Sequence, residues 1–402
     1  MISTVRLEDV LELVAMGPFG SDLKVENFTE SGVPVIRGGN LGSFHVSNDG
    51  LAFVSEEKAE TLARSLALPG DLVITHRGTL GQISMVPREG MFDRYLVSQS
   101  QMLVRPDPLK AHPEYLTYWL RSPAGQGALM AYSVQTGVPA LAQPTKSIKS
   151  LQIPLPPLAV QKAIGEVLGA LDDKIAANEA VIAAGRSLLL ARWKELTQAA
   201  TRTARLDEIA EIAPMTRLPK DRDLVPFVEM KNLPEHGLLV THWTWEDRAA
   251  GTKFRNGDTL MARITPCFEN GKMALVDFLE KGEVGVGSTE YIIFRPKEDI
   301  PPILPYAVIA SDDYRDFAAG RRTGTSGRQR VQTAEVGEFG IRLPEPADLA
   351  QFGGFADTLL GRLGAARTEN NTLARTRDEL LPQLMSGRIT VKDAEKRVEE
   401  EV

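Results

Sequence analysis

Apolar positions in two stretches of the chain recur at alternating steps of four and three residues. In the first, Ile164, Leu168, Leu171, Ile175, Asn178, Ile182, Gly185 and Leu189 keep that step, the seam spacing of a coiled coil. It predicts a helix from Leu158 to about Gln198, ~60 Å long at ~1.5 Å per residue. Leu155-Pro156-Pro157 makes an extended stop before it, where proline can serve the first turn. In the second stretch Leu359, Leu363, Ala366, Asn370, Leu373, Arg377, Leu380 and Leu384 repeat the step. Asn178 and Asn370 are polar residues in an apolar seam, which costs stability but pins register. Each stripe is too long for one small domain to cover, so the two helices are predicted to pair with each other. Two separate core helices, each on its own domain, are the plainer alternative. Gly353, Gly354, Gly361 and Gly364 weaken the start of the second helix, and Pro382 should end or kink it. Lys392 to Val402 is charged and lacks a core stripe, so a frayed helix or tail is expected there.

The rest of the chain repeats itself. Pro34-Val35-Ile36-Arg37-Gly38-Gly39-Asn40-Leu41 returns as Pro226-Phe227-Val228-Glu229-Met230-Lys231-Asn232-Leu233. Gly70-Asp71-Leu72-Val73-Ile74 returns as Gly257-Asp258-Thr259-Leu260-Met261. Gly81 to Val86 matches Gly271 to Val276, Arg105-Pro106 matches Arg295-Pro296, and Ile153 to Pro156 matches Ile341 to Pro344. The five matches keep their order at an offset between 187 and 192, a register that chance rarely gives. Each half opens with a predicted short amphipathic helix, Leu7 to Val14 and Leu206 to Ile212. Strand-like runs follow at Val33 to Arg37, Leu72 to Thr75, Gln82 to Val86 and Leu96 to Arg105, bounded by Gly, Pro and Asn. Gly-Asp before an apolar run reads as a turn feeding a strand. Pro113 to Arg121 reads as a helix with Leu116, Trp119 and Leu120 on one face. Each half is thus a mixed α/β globule of ~150 residues, a size that supports its own core.

Composition adds limits. With 402 residues, 43% hydrophobic and 25% charged, the chain has room for two or three ordinary domains. No stretch nears the ~20 uninterrupted apolar residues of a membrane span. Met1 to Val10 carries Arg6, Glu8 and Asp9 and has no apolar signal region, so a cytoplasmic protein with no membrane partner is expected. The single Cys267 excludes an internal disulfide and a cysteine zinc cage. The net charge of -7 is unevenly placed. Tyr115 to Gly165 holds no acid, only Arg121, Lys146, Lys149 and Lys162. Phe317 to Ala334 likewise holds Arg321, Arg322, Arg328 and Arg330 and no acid. Basic runs on an acidic chain suit a protein with a DNA face and separate protein faces; solvated basic loops are the plainer alternative.

Catalytic constellations are missing. There is no Gly-x-x-x-x-Gly-Lys-Ser/Thr phosphate loop and no Gly-x-Gly-x-x-Gly after a strand. The Asp/Asn-Pro-Pro-aromatic tetrad of an amine methyltransferase is also missing. Pro106-Asp107 resembles a nuclease start, but no acid follows from Tyr115 to Gly165. His45, His76, His112, His236 and His242 show no metal-ligand spacing, and Cys267 reads as filler. No metal, cofactor or catalytic residue is assigned to this chain.

One family resemblance covers nearly the whole chain. Thr136-Gly137, Ile153-Pro154-Leu155-Pro156-Pro157-Leu158, Gln161, Ile164, Leu168, Leu171-Asp172 and Ile175 resemble the conserved region of the specificity subunits of type I restriction–modification systems. Gly17-Pro18-Phe19-Gly20-Ser21 is similar to the opening of their first domain, and Ser386-Gly387-Arg388-Ile389 to their usual ending. The second copy departs from the pattern: Glu345 stands in place of a proline, Phe352 in place of Ile164, and Gln351 fits only with a small shift.

The resemblance implies an α+β fold. Two repeated target-recognition domains, 1–152 and 201–342, are separated by two long antiparallel helices, 153–200 and 343–391, forming a coiled coil. A charged tail occupies 392–402. Each domain would read half of a split, asymmetric site on double-stranded DNA. The helices would set the spacing and hold two methyltransferase subunits, which carry S-adenosylmethionine and flip out an adenine. Restriction/translocase subunits would add ATP- and Mg-dependent translocation and cleavage. A modification-only methyltransferase, or a bivalent protein scaffold, would use the same architecture.

Specificity needs side chains on base edges, whereas phosphate contacts position the protein. The candidates are Arg37, Arg77, Thr79, Gln99, Gln143 and Lys146 in the first domain. In the second they are Lys231, Arg263, Lys272, Arg322, Arg328 and Arg330. Arginine is favoured because its planar fork matches guanine and phosphate. The flexible, basic run from Arg321 to Arg330 is the foremost candidate.

Overall fold

The computed structural model describes residues 3–134, 137–219, 224–247, 250–325 and 327–401. Thr136 and Ser326, which belong to the motifs above, lie outside the described residues. The chain forms two compact units, Met1–Lys174 with Thr372–Val402, and Ile175–Asn371. Both boundaries fall inside long helices, so each unit holds one half of the internal repeat and a segment of each helix.

In the first unit an antiparallel sheet orders Leu11–Met16, Gln101–Pro106, Leu72–Thr75 and Ile83–Met85. A mixed sheet beside it contains one parallel pairing, Val35 with Leu96. Ser3–Arg6 pairs with Gln152–Leu155. The second unit repeats this plan. Its antiparallel sheet orders Ala210–Ile212, Tyr291–Pro296, Thr259–Ala262 and Met273–Leu275. Its mixed sheet again has one parallel pairing, Phe227 with Val286, and Arg202–Arg205 pairs with Gly340–Leu343. Central strands such as Leu72–Thr75 and Thr259–Ala262 are buried at every position. They therefore read as continuous apolar runs without alternation.

Three short elements differ from expectation. Leu7–Val10 is a 3-10 turn, and Leu11–Met16 is a strand, where one helix to Val14 was predicted. Leu206–Ile209 is helical, but Ala210–Ile212 is a strand. Pairing with Gln101–Pro106 and Tyr291–Pro296 satisfies these backbones, and tertiary pairing outweighs a short helical pattern. The run Leu96–Arg105 is two strands in different sheets, Tyr95–Val97 and Gln101–Pro106, divided by a turn in which Gln101 N donates to Ser98 O at 3.0 Å.

The first long helix spans Leu158–Ala199. Gln161, 1% exposed, ties its start to the preceding loop. Its Nε2 donates to Pro156 O at 2.9 Å and Lys110 O at 3.2 Å, while His112 N donates to its Oε1 at 2.8 Å. In the second copy Phe352, which stands in place of Ile164, is likewise buried, whereas Gln351 is exposed. The second long helix spans Pro346–Met385 and contains Pro382, which neither ends nor precedes the helix end by more than three residues. Gly387, at φ +67°, closes it. Gly387 N donates to Leu384 O and Arg388 N to Gln383 O, a Schellman ending that requires the left-handed glycine. The charged end, expected as a frayed helix or tail, is a helix, Val391–Glu401. Thr390 and Asp393 cap it reciprocally, with Thr390 N donating to Asp393 Oδ2 at 2.9 Å. Thr376 Oγ1 donates to Glu401 Oε2 at 2.6 Å, and Ala394 is buried.

The helices pair antiparallel within each unit. In the second, Asn178 Nδ2 donates to Asn370 Oδ1 at 2.9 Å and to Glu369 Oε2 at 2.7 Å, and Asn370 Nδ2 donates to Ile175 O at 3.3 Å. Gly185 lies against Leu363. In the first, Arg377 Nη1 donates to Asp172 Oδ1, whose Oδ2 accepts from Tyr118 Oη at 2.6 Å. Ile164, Leu168, Leu171 and Leu189 are buried; Ile175 and Ile182 are half-buried. Leu363, Leu373, Leu380 and Leu384 are buried on the other helix. Its first half departs from the expected stripe: Leu360 and Arg367 are buried, while Leu359 and Ala366 are half-buried. The reason is shared packing. Leu360 and Leu363 belong to one core with Leu189, Trp193 and the helix Ile303–Ile309, so this face serves its own domain as well as the partner helix.

Candidate nucleic-acid interface

In the first unit four of the expected side chains meet. Arg37, Arg77, Thr79 and Gln99 line a cleft of about 640 Å³, together with Thr75, Gln82 and Gln101. Arg37 follows the strand Val33–Ile36; its Nη2 donates to Gly50 O at 2.6 Å. Arg77 and Thr79 follow Leu72–Thr75 on a turn that needs positive φ at Gly78 and Gly81, +98° and +86°. Gln99 sits on the turn that separates the two sheets. His76 supports it from beneath, with Nε2 3.1 Å from Gln99 O. Burial pushes the His76 imidazole below its ordinary value, so the ring stays neutral and donates from Nε2. No described residue lining the cleft is acidic, and two arginines in such a concavity favour an anion such as DNA phosphate.

A hairpin, Ser133–Val134 with Ala140–Leu141, is held against the same strand end. Gly78 N donates to Pro139 O at 2.8 Å, and Leu141 N to His76 O at 2.9 Å. Gln143 follows it at φ +43° and leads into the helix Pro144–Ser150, which presents Lys146. Both side chains are exposed but do not line the cleft.

The second unit builds the same hairpin from Arg322–Thr323 and Arg330–Val331. Thr265 N donates to Gln329 O at 3.0 Å, and Val331 N to Arg263 O at 2.9 Å. Its cations are differently placed. Arg330 Nε and Nη2 bond Glu290 at 3.0 and 2.7 Å, and those bonds hold the Glu290 carboxyl below the usual carboxylate value. Arg322 Nη1 pairs with Glu269, and Lys231 with Glu229 at 2.8 Å. Lys272 Nζ donates to Met230 O at 3.2 Å. Arg263 is half-buried, with a buried Nε that has no partner among the described residues. Arg328 is exposed and makes no ion pair with a described residue. The three glutamates are the residues sequence reasoning missed. Glu290 and Glu269 lie 40 and 53 residues from their arginines, so no local pattern links them.

The family described as "Type I restriction modification DNA specificity domain" matches residues 2–184. Over 201 residues the chain is 29% identical to the type I restriction enzyme EcoEI specificity subunit of Escherichia coli, covering 48% of this chain and 33% of that one. It is 33% identical over 133 residues to the EcoAI specificity subunit of the same organism, covering 31% and 22%. The matches thus span a third or less of these relatives. In fold, the chain matches the crystal structure of the type I restriction-modification system S subunit from M. genitalium with a TM-score of 0.57, covering 96% of each chain at 16% identity. Residues 2–184 are thus similar to the type I specificity domain, and the chain as a whole shares the fold of an S subunit. The matched specificity domain takes in the whole first cleft and the first long helix as far as residue 184. The second unit lies outside that match and is similar to the S subunit in fold alone. Among the described residues no helix is long and apolar enough to cross a membrane.

Proposed function

We propose that this chain is the DNA sequence-recognition subunit of a type I restriction–modification complex and reads an asymmetric, two-part site. One observation carries this reading. The same hairpin is held against the same strand end in both units, but the bridged residues are Arg77 and Ala140 in one, and Ile264 and Arg330 in the other. Equal backbones with unequal donors suit two different half-sites. Arg77, Arg37 and Arg328 position the duplex through phosphates, and the neighbouring polar side chains meet base edges. The paired helices act as the spacer and offer their exposed faces to two methyltransferase subunits. Those partners supply S-adenosylmethionine, and restriction/translocase subunits supply ATP- and Mg-dependent steps, so this chain performs no covalent chemistry. Its place is the cytoplasm, where the DNA is.

The test is the salt dependence of duplex binding by the full chain assembled with its methyltransferase partners. Arg77→Ala and Arg328→Ala should each reduce the slope of log K against log[salt] by about 1. Unchanged slopes in both variants would remove these loops from the DNA face and sink the reading.

A further inference from the structure

Three glutamines border the first cleft, and two are committed to the fold. Gln82 accepts from Thr75 Oγ1 and donates to Gly38 O, both at 3.1 Å. Gln101, buried, donates to Thr75 Oγ1 at 3.3 Å and accepts from Ser98 Oγ. Gln99 is exposed, and its side-chain amide bonds no described residue. The loop that opens at Gly17 is pressed onto the turn carrying it. Gly17 N donates to Gln101 O at 2.9 Å. A Cβ on Gly17 would stand 1.9 Å from Ser98 O, and one on Gly20 would stand 3.4 Å from Gln99 Oε1. The same loop then contributes Leu23, Val25 and Phe28 to the cleft lining. Val25 is 87% exposed there. One idle amide and one exposed branched apolar side chain therefore share the lining with Arg37 and Arg77.

We propose that Gln99 and Val25 read an adenine·thymine pair in the half-site served by the first domain. This rests on the DNA-reading function proposed above. A carboxamide has one donor side and one acceptor side, matching adenine N7 and N6 in the major groove. Guanine presents two acceptors there, N7 and O6, so the amide oxygen would face a lone pair. The thymine C5 methyl is an apolar target for Val25. Arg37 and Arg77 carry the charge that holds the backbone, which leaves Gln99 free to discriminate.

The experiment selects bound sequences from a randomised duplex library with the full chain in its assembled complex. Gln99→Ala and Val25→Ala should each lower the adenine·thymine preference at one shared position by about tenfold, with thermal midpoints unchanged because both side chains are exposed. Gln99→Arg should turn the preference at that position toward guanine. Unchanged preferences, or a loss at a guanine·cytosine position, would overturn the assignment while leaving the wild-type motif intact. A wild-type complex that selects no motif would instead overturn the DNA-reading function on which the assignment rests.

Discussion

Asp71 and Arg105 in the first unit make the same two-bond contact as Asp258 and Arg295 in the second. Arg105 Nε and Nη2 reach the two oxygens of Asp71 at 2.8 and 2.7 Å. Arg295 does the same with Asp258 at 2.7 and 2.6 Å. Each aspartate also accepts from the backbone before its turn, from Leu68 N at 2.7 Å and from Arg255 N at 2.8 Å. Each pair therefore clamps a Gly-Asp turn to a central strand. Both fragments were legible as repeats, and Gly-Asp as a turn, but nothing local joins an aspartate to an arginine 34 or 37 residues away. Removing one partner of a buried pair strands the other, at a cost of about 3–5 kcal/mol. The Asp258 and Arg295 side chains are 1% and 11% exposed, whereas Arg105 is 25% exposed. Asp258→Ala should thus lower the urea midpoint more than Asp71→Ala. The reverse order, or a loss under about 1 kcal/mol for Asp258→Ala, would show that these clamps are not what fixes the turns.

At the scale of elements, the four-and-three spacing located both long helices because a helix buried on one narrow face must repeat near that period. It also marked the polar seam pair, Asn178 and Asn370. It misplaced two positions of the second seam, Leu359 and Ala366, by one residue, because this face also packs into the domain core through Leu360. A period drawn for one neighbour cannot represent two. Short strands were legible where apolar runs were bounded by Gly or Pro. They were not where pairing with a distant strand decided the backbone, as at Leu11–Met16. The seam gives a paired test. A Cβ at Gly185 would lie 2.7 Å from Leu363 Cδ1, whereas one at Gly169 meets nothing within 4 Å. Gly185→Ala should destabilise the protein by ~1–3 kcal/mol through overpacking. Gly169→Ala should stabilise it by ~0.5–1 kcal/mol through helix propensity alone. Equal effects in urea unfolding would mean that Gly185 is not at a close helix contact.

At the scale of the whole molecule, duplication was the most legible property, because five fragments kept register across the chain. The first cleft was half legible: Arg37, Arg77, Thr79 and Gln99 were named as donors, but Val25 on its wall was not, since one exposed apolar residue has no sequence signature. The second interface was less so, because Glu290, Glu269 and Glu229 engage cations that the sequence alone presents as free. On the proposed DNA-reading function, two halves that share a backbone and differ in which donors are open should read different bases. The most direct test is the recognition motif itself, read by sequencing methylated host DNA with the wild-type chain and with Arg77→Ala or Arg328→Ala. The account predicts two unequal blocks separated by unspecified bases, with each substitution relaxing one block only. A continuous or palindromic motif, or a single substitution that relaxes both blocks, would contradict it.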